Sequence, residues 1–305
     1  MKKIFTLLLV FTLSSHFAST AHAGQTREYW IAAEKVIWNY APSGKNLIRP
    51  KMGLMVWGKH LKYHKYRYIQ YTDGTFTKKV SQPKWMGILG PQIRAEEGDT
   101  IKVHFFNQAD KTLSMHPHGL HYDEANEGAD WKNEGALVKP GKKFTYTWTA
   151  DHSASPGPAD PSSIVWLYHS HVDPVTEVYD GLIGSIVVTK KGMARSQSDP
   201  RPKDVDVAFT TLYMIFDENG REIEGGKPEI KHDSPEAEAF EEGNLKHAIN
   251  GYIFGNLQGL EMQQGDRVRW HLLAMGSEVD LHSAHWHGKT VLDHGRRTDV
   301  IELIP

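Results

Sequence analysis

The chain has 305 residues, a formal net charge of −2 and an apolar content of 39%. The balanced charge excludes an electrostatic partner such as nucleic acid, and the apolar content is too dilute for a membrane protein. The length is enough for two domains of ordinary size. There is no cysteine, which excludes disulfides and thiolate metal ligands within these residues.

The first predicted element is an export signal. Lys2 and Lys3 precede an apolar run, and Ala21-His22-Ala23 places small residues at a cleavage position. We expect residues 1–23 to be removed, so that a secreted or periplasmic protein begins at Gly24. The apolar run is too short for a membrane span, and no membrane attachment is expected after cleavage.

Strand-like patterns dominate the remainder and predict an all-β sandwich protein. Residues 66–71 and 75–78 flank Asp73-Gly74 and predict a hairpin. Further strands are predicted at residues 101–105, 144–148 and 181–188, and the best helix candidate is the short segment 235–242.

One sequence unit is repeated. A Gly-Asp turn between two strand-like segments occurs at Gly98 and again at Gly265. Two histidines recur nearly in register with these turns, His116 as His285 and His118 as His287. This internal duplication predicts two tandem domains of one type.

The predicted domains are residues 24–190 and 204–305, joined by a linker at 191–203 that is rich in Ser, Pro, Arg and Asp. The first domain continues well beyond Gly119 with strands and another histidine pair. The second stops soon after the corresponding Gly288. We therefore expect the second sandwich to lack its closing strands, and the chain to be a fragment or a natural truncation.

The candidate metal ligands are three His-x-His pairs, His116 and His118, His169 and His171, and His285 and His287. One additional histidine, His282, precedes the third pair. On a strand, residues i and i+2 share a face with Cα atoms about 6–7 Å apart, so each pair presents two imidazoles to one side. The odd spacing of His282 places it at a different centre. Imidazole-only sites suit copper or zinc, and the spacing typical of helical zinc hydrolases is missing.

These motifs resemble the multicopper oxidases, whose domains are cupredoxin-like Greek-key β-sandwiches. The first domain is similar to the ceruloplasmin and hephaestin branch. That similarity is carried by Trp38-Asn39-Tyr40-Ala41-Pro42, residues 68–76, residues 89–96, Tyr168-His169-Ser170-His171 and Gly181-Leu182-Ile183-Gly184.

The resemblance implies a ligand for each copper type. His116 and His285 would bind type 2 copper, and His282 would be one ligand of the type 1, blue copper. The binuclear type 3 pair would be bound by His118, His169, His171 and His287. No catalytic residue is expected outside the copper ligands, and Asp123, Glu124, Glu127 and Asp173 near the motifs are expected to be solvated loop charges.

The implied activity couples four one-electron oxidations of a substrate to the reduction of O₂ to water, as in laccases and ferroxidases. A reduced metal ion or a small phenol or aryl amine would be the electron donor. The fourth copper motif of the family, His-Cys-His, is missing before Pro305, so this chain alone is expected to be inactive. The two-domain layout implies a homotrimer with the copper cluster between subunits.

Two alternatives remain open. A non-catalytic copper-binding or scaffold protein, like the clotting-factor A domains that share this fold, would account for the absence of cysteine. Copper nitrite reductase is less favoured, since it carries its blue-copper cysteine in the first domain. Blue absorbance of the complete, copper-loaded protein would discriminate the oxidase from the scaffold.

Overall fold

The computed structural model describes residues 24–129, 136–276 and 281–304. The predicted export signal lies outside the described residues. In the part that is described, no helix has the length and apolar character needed to cross a membrane.

The first half of the chain is a sandwich of two four-stranded sheets. Its strands are β1 (Thr26–Asn39), β2 (Lys62–Tyr71), β3 (Ile93–Glu96), β4 (Thr100–Asn107), β5 (His116–Pro117), β6 (Lys143–Thr149), β7 (Ser163–His169) and β8 (Ile183–Thr189). The first sheet has the order β2-β1-β4-β6 with β1 and β4 parallel, and the second has the order β3-β8-β7-β5 with β3 and β8 parallel. The predicted all-β class is confirmed.

Period-2 patterning places the core between these two sheets. In β4, Ile101, Val103 and Phe105 are fully buried while the residues between them are partly exposed. They pack with Tyr168 and Ile186 from the opposite sheet. A continuous run of buried residues in β8 indicates that this second sheet is covered on both faces.

The second half begins with the same three-stranded arrangement. Its strands are β9 (Val207–Asp217), β10 (Leu245–Ile249), β11 (Val268–Ala274), β12 (His282–His285), β13 (Val291–Asp293), β14 (Arg296–Thr298) and β15 (Val300–Leu303). The order β10-β9-β11, with β9 and β11 parallel, repeats β2-β1-β4. Gly98 and Gly265 precede β4 and β11 with φ of 97° and 100°, a conformation that favours glycine. The shared topology agrees with the duplication.

Short helices and turns connect the strands: α1 (Pro174–Tyr179), α2 (Pro235–Gly243) and 3₁₀ turns at Pro50–Met52, Met55–Gly58, Lys84–Met86 and Glu124–Asn126. Both α-helices begin with proline, and a side chain caps each of them. The Asp173 side chain accepts a hydrogen bond from the Thr176 N–H, and the Ser234 side chain accepts one from the Ala237 N–H. The helix predicted at 235–242 is confirmed.

The hairpin predicted at Asp73-Gly74 forms only in part. Asp73 accepts a hydrogen bond from the Thr75 N–H at 2.9 Å, as its turn requires. The returning chain makes an isolated bridge between Lys79 and Tyr71 instead of a strand. Two backbone hydrogen bonds hold it against the free edge of β2, from the Thr72 N–H to the Lys78 carbonyl at 2.9 Å and from the Val80 N–H to the Gln70 carbonyl at 2.8 Å.

A second core joins the two halves. Leu212, Met214 and Phe216 of β9 pack with residues such as Tyr63 and Ile183 of the first half. The second sheet of the sandwich is therefore covered on its outer face as well. This junction also encloses a fully buried ion pair between the Lys65 ammonium and the Glu218 carboxylate.

Polar groups of both halves complete this ion pair. The Lys65 ammonium donates to the Tyr179 carbonyl at 2.5 Å, and the Tyr40 hydroxyl donates to Glu218. Burial raises the pKa of the Tyr40 hydroxyl well above its usual value, and the adjacent Glu218 carboxylate adds to the effect. A buried charge is tolerated only when it is paired in this way, so the pair fixes the contact between the two halves.

Candidate metal centre

The first candidate group consists of His116, His118, His169 and His171. Antiparallel pairing of β5 with β7 places His116 directly opposite His169. The His118 N–H donates to the Leu167 carbonyl at 2.8 Å, which continues the alignment beyond β5. Two His-x-His segments that are distant in sequence therefore lie side by side.

The four imidazoles contact one another. The ring centroid of His116 lies 4.9 Å from that of His171, 5.2 Å from that of His118 and 5.7 Å from that of His169. The Nε2 atoms of His118 and His169 are 2.9 Å apart, a hydrogen-bond distance. The first group is thus one continuous cluster of nitrogen donors.

Backbone carbonyls set the orientation of two of these rings. The His116 Nδ1 lies 2.7 Å from the Glu127 carbonyl, and the His169 Nδ1 lies 2.7 Å from the Ser170 carbonyl. A carbonyl can only accept, so each Nδ1 carries the proton and each Nε2 presents a lone pair. Metal-binding histidines usually donate their second ring N–H to a carbonyl or carboxylate in this way.

The surroundings also keep the imidazoles neutral. Partial burial lowers the pKa of His118 to about 4, and the neighbouring His116 contributes. Burial lowers the pKa of His169 to about 4 as well, and it lowers the pKa of His116. Neutral imidazole is the form that binds a metal, so these three ligands are ready at neutral pH.

A network of buried polar groups holds the loop that carries His169 and His171. The Ser114 N–H donates to the Ser170 hydroxyl at 3.0 Å, and the His171 N–H donates to the Ser114 hydroxyl at 2.9 Å. The Glu177 carboxylate accepts from the Val172 N–H at 3.1 Å. These contacts fix the histidine positions from behind.

Sequence reasoning missed Glu177. Its side chain is 2% exposed, and burial raises its pKa. The available signal was Asp173-Pro174, which predicts the start of a short helix and so directs the next turn back towards the histidine loop. Of the four carboxylates considered from sequence, Asp173 caps that helix, whereas Glu127 contributes its backbone carbonyl.

The second candidate group consists of His282, His285 and His287. His285 resembles its repeat partner His116, because its Nδ1 lies 3.0 Å from the Asp299 carbonyl. The ring centroids of His285 and His287 are 6.1 Å apart. The Nε2 of His282 is buried and has no hydrogen-bond partner among the described residues. An orphaned buried nitrogen of this kind fits a ligand position.

The two groups stay apart within one chain. No ring contact joins His285 or His287 to the first group in the ranges that the structure covers. The ring of Trp286, which lies between His285 and His287, contacts Trp270 with centroids 5.7 Å apart. The structure therefore brings together the four predicted ligands of the first group. The three of the second group, His282, His285 and His287, make no ring contact with them among the described residues.

The donor set fits copper. Every candidate ligand is an imidazole, and such sites suit copper or zinc. Among the described residues, no three His, Asp or Glu groups adopt the closed arrangement of a complete metal site. The first group instead has touching rings with two Nε2 atoms at hydrogen-bond distance, an arrangement that a bound ion would have to open slightly.

Known proteins share both the sequence and the fold. Residues 68–192 match the family model described as multicopper oxidase. Human hephaestin is 38% identical over 92% of this chain and 26% of its own length, and the human ferroxidase HEPHL1 is 39% identical over 92% and 26%. Human ceruloplasmin is 36% identical over 92% of this chain and 29% of its own length.

The chain thus spans less than a third of the length of these relatives. Among solved structures, a multicopper oxidase superposes with a TM-score of 0.56 at 20% identity, covering 92% of this chain and 76% of the other. The multicopper oxidase mgLAC superposes with a TM-score of 0.57 at 21% identity, covering 92% and 73%. These two likenesses show the cupredoxin-like fold, and the family model and the sequence relatives show that this chain contains a multicopper oxidase domain.

Proposed function

We propose that this chain provides the copper-binding framework of an oxidase that couples one-electron oxidation of a substrate to the reduction of O₂ to water. The observation that carries the proposal is the convergence of the first histidine group. Its members come from two distant segments, touch one another and have carbonyl-fixed tautomers at His116 and His169. A purely structural histidine needs no such convergence.

The proposed ligand roles follow the family pattern. His116 and His285 bind type 2 copper, His118, His169, His171 and His287 bind the type 3 pair, and His282 binds type 1 copper. The parallel Nδ1 contacts of His116 and His285 to backbone carbonyls support equivalent roles for these two residues. Copper, when bound, supplies the one-electron redox chemistry.

The chain's own residues prepare that site. The carbonyls of Glu127 and Ser170 orient two imidazoles, and partial burial keeps them unprotonated. Ser114 and Glu177 hold the loop on which His169 and His171 lie. Rings oriented in advance in this way lower the cost of organising the ligands when metal binds, and the remaining change is the slight opening of the cluster.

A reduced metal ion is the favoured electron donor. HEPHL1 is named a ferroxidase, which supports Fe(II) as the substrate to test first. Phenols and aryl amines are the next class. The predicted export signal supports oxidation outside the cytoplasm, in the periplasm or after secretion.

The proposal includes assembly as a homotrimer. The second histidine group lies apart from the first within one chain, so a cluster made from both requires the second group of a neighbouring subunit. Its exposed position is consistent with such a role. The side chain of Leu281, next to His282, is 73% exposed and therefore free for contacts across a subunit boundary.

A non-catalytic copper-binding protein is the second candidate. The observation that favours it is the absence of cysteine from all 305 residues, because a blue centre needs a thiolate. These residues alone would then bind copper without passing electrons from a substrate.

The two candidates are separated by measurements on the copper-loaded product of the complete gene. The oxidase proposal expects the intense visible absorbance of a blue centre and O₂ uptake on addition of Fe(II). Both copper content and O₂ uptake should fall in the His118→Ala and His169→Ala variants. Bound copper without blue absorbance or O₂ uptake would favour the non-catalytic protein.

A further inference from the structure

A large apolar pocket lies at the junction of the two halves, and none of its lining residues belongs to either histidine group. Its volume is about 670 Å³, within the range of small-molecule sites. One wall comes from the loop between β1 and β2, and the other comes from β10 and the residues after it. The pocket therefore exists only when both halves are packed together.

Aromatic rings form the walls of this pocket. Trp57 packs against Phe254 with ring centroids 5.9 Å apart and against His247 at 6.2 Å. Ile48 lies at the rim with 68% of its surface exposed, and Met55 is 49% exposed. Exposed apolar side chains around a concave aromatic surface mark a ligand site.

The backbone of these walls is held in an unusual conformation. Met55 and Phe254 line the pocket with φ of 49° and 51°, in the left-handed region that non-glycine residues rarely adopt. The Phe254 carbonyl accepts from the Leu47 N–H at 3.0 Å, and this bond ties the two walls together. Surrounding contacts thus fix the shape of the pocket.

The charged side chain that lines the pocket is positive. Arg49 lines the pocket as an exposed residue at its mouth, where the guanidinium has no hydrogen-bond or ion-pair partner among the described residues and is open to a ligand. Among the described residues that line the pocket, none is acidic. An unpaired guanidinium beside aromatic walls is complementary to a planar ligand that carries a carboxylate.

We propose that this pocket binds a small aromatic carboxylate, with its ring against the surface that Trp57 and Phe254 form together and its carboxylate on Arg49. The site is separate from copper binding and goes beyond the proposed oxidase function. Binding of such a ligand would stabilise the packing of the two halves, because residues from both contact it.

Calorimetric titration of the copper-loaded chain with 2-naphthoate and with its uncharged analogue 2-naphthamide tests the proposal. We expect naphthoate to bind about tenfold more tightly, the difference that a hydrogen-bonded charge provides. Arg49→Met should abolish this preference while leaving the amide unchanged. The matched variant Arg296→Met, which alters an exposed arginine outside the pocket, should leave both affinities unchanged.

Two further variants keep the test independent of folding and of copper. Ile48→Asp places an acid at the exposed rim and should weaken naphthoate more than naphthamide. His118→Ala should leave both affinities unchanged, since it belongs to the copper cluster. Equal affinity for the two ligands in the parent chain, no binding of naphthoate, or equal losses in Arg49→Met and Arg296→Met would overturn the proposal.

Discussion

The two histidine groups have the same local backbone but very different surroundings. Gly119 and Gly288, which follow their His-x-His pairs, have φ of 71° and 69°. A Cβ added at Gly119 would lie 2.1 Å from the Trp166 ring, whereas one added at Gly288 would meet nothing within 4 Å. His169 in the first group is buried, whereas His285 and His287 are exposed.

The same histidine motif can therefore occur with or without the packing that brings its rings into a cluster. The motif fixes the local turn and the direction of the rings in both groups. Only the first group lies on a sheet covered on both faces, where packing on either side holds the rings in contact. The second group lies on the two-stranded sheet of β12 and β15 and lacks such support.

The largest loss of stability should come from disrupting the junction between the two halves. This junction covers the outer face of the β3-β8-β7-β5 sheet, on which the first histidine group lies. Lys65→Met leaves the Glu218 carboxylate buried and unpaired, and we expect a loss of about 4 kcal/mol in the free energy of unfolding. Urea denaturation measures it. The double variant Lys65→Met with Glu218→Leu should recover most of the loss, and equal losses in single and double variants would contradict a paired role.

The second prediction compares the two glycines directly. Gly119→Ala forces a clash with Trp166 in addition to backbone strain, and should lower the free energy of unfolding by about 3 kcal/mol. Gly288→Ala has the strain alone and should cost about 1 kcal/mol. Urea denaturation of the pair provides the measurement, and equal costs would mean that the two groups are packed alike.

A smaller effect is expected from the support behind the first group. Glu177→Ala removes the acceptor for the Val172 N–H, which helps to hold the loop that carries His169 and His171. Loss of a group that supports the ligands should weaken Cu(II) binding by about tenfold. Competition with a chelator measures the affinity. Glu238→Ala, at an exposed position on α2, is the control and should bind copper normally. An unchanged affinity in Glu177→Ala would show that the loop needs no such support.

Much of this arrangement could be predicted from sequence, because it depends on local periodicity. The repeat around Gly98 and Gly265 predicted equivalent turns, and the structure has the same φ at both. The His-x-His spacing predicted shared faces, and the first group has them. The separation of the second group within one chain does not follow from the spacing of the histidines, and it was expected only from the family resemblance, which implies a cluster between subunits.

Contacts across long sequence distances account for the remaining differences. Lys65 and Glu218 each look like ordinary surface charges in the sequence, and only the junction brings them together. Glu177 is five residues after Val172, yet its role depends on the turn of α1. The aromatic pocket combines Trp57 with Phe254, and no local pattern links them.

We expect the first histidine group to bind copper within a single chain, because its four imidazoles already lie together, and the second group to bind none tightly without a neighbouring subunit. Copper bound at equilibrium by dialysed monomeric chain tests it most directly, in His118→Ala, His169→Ala, His285→Ala and His287→Ala. We predict that the first two variants lose the tightly bound copper and that the last two retain it. Retention of tightly bound copper in the first two variants, or equal loss in all four, would contradict the claim.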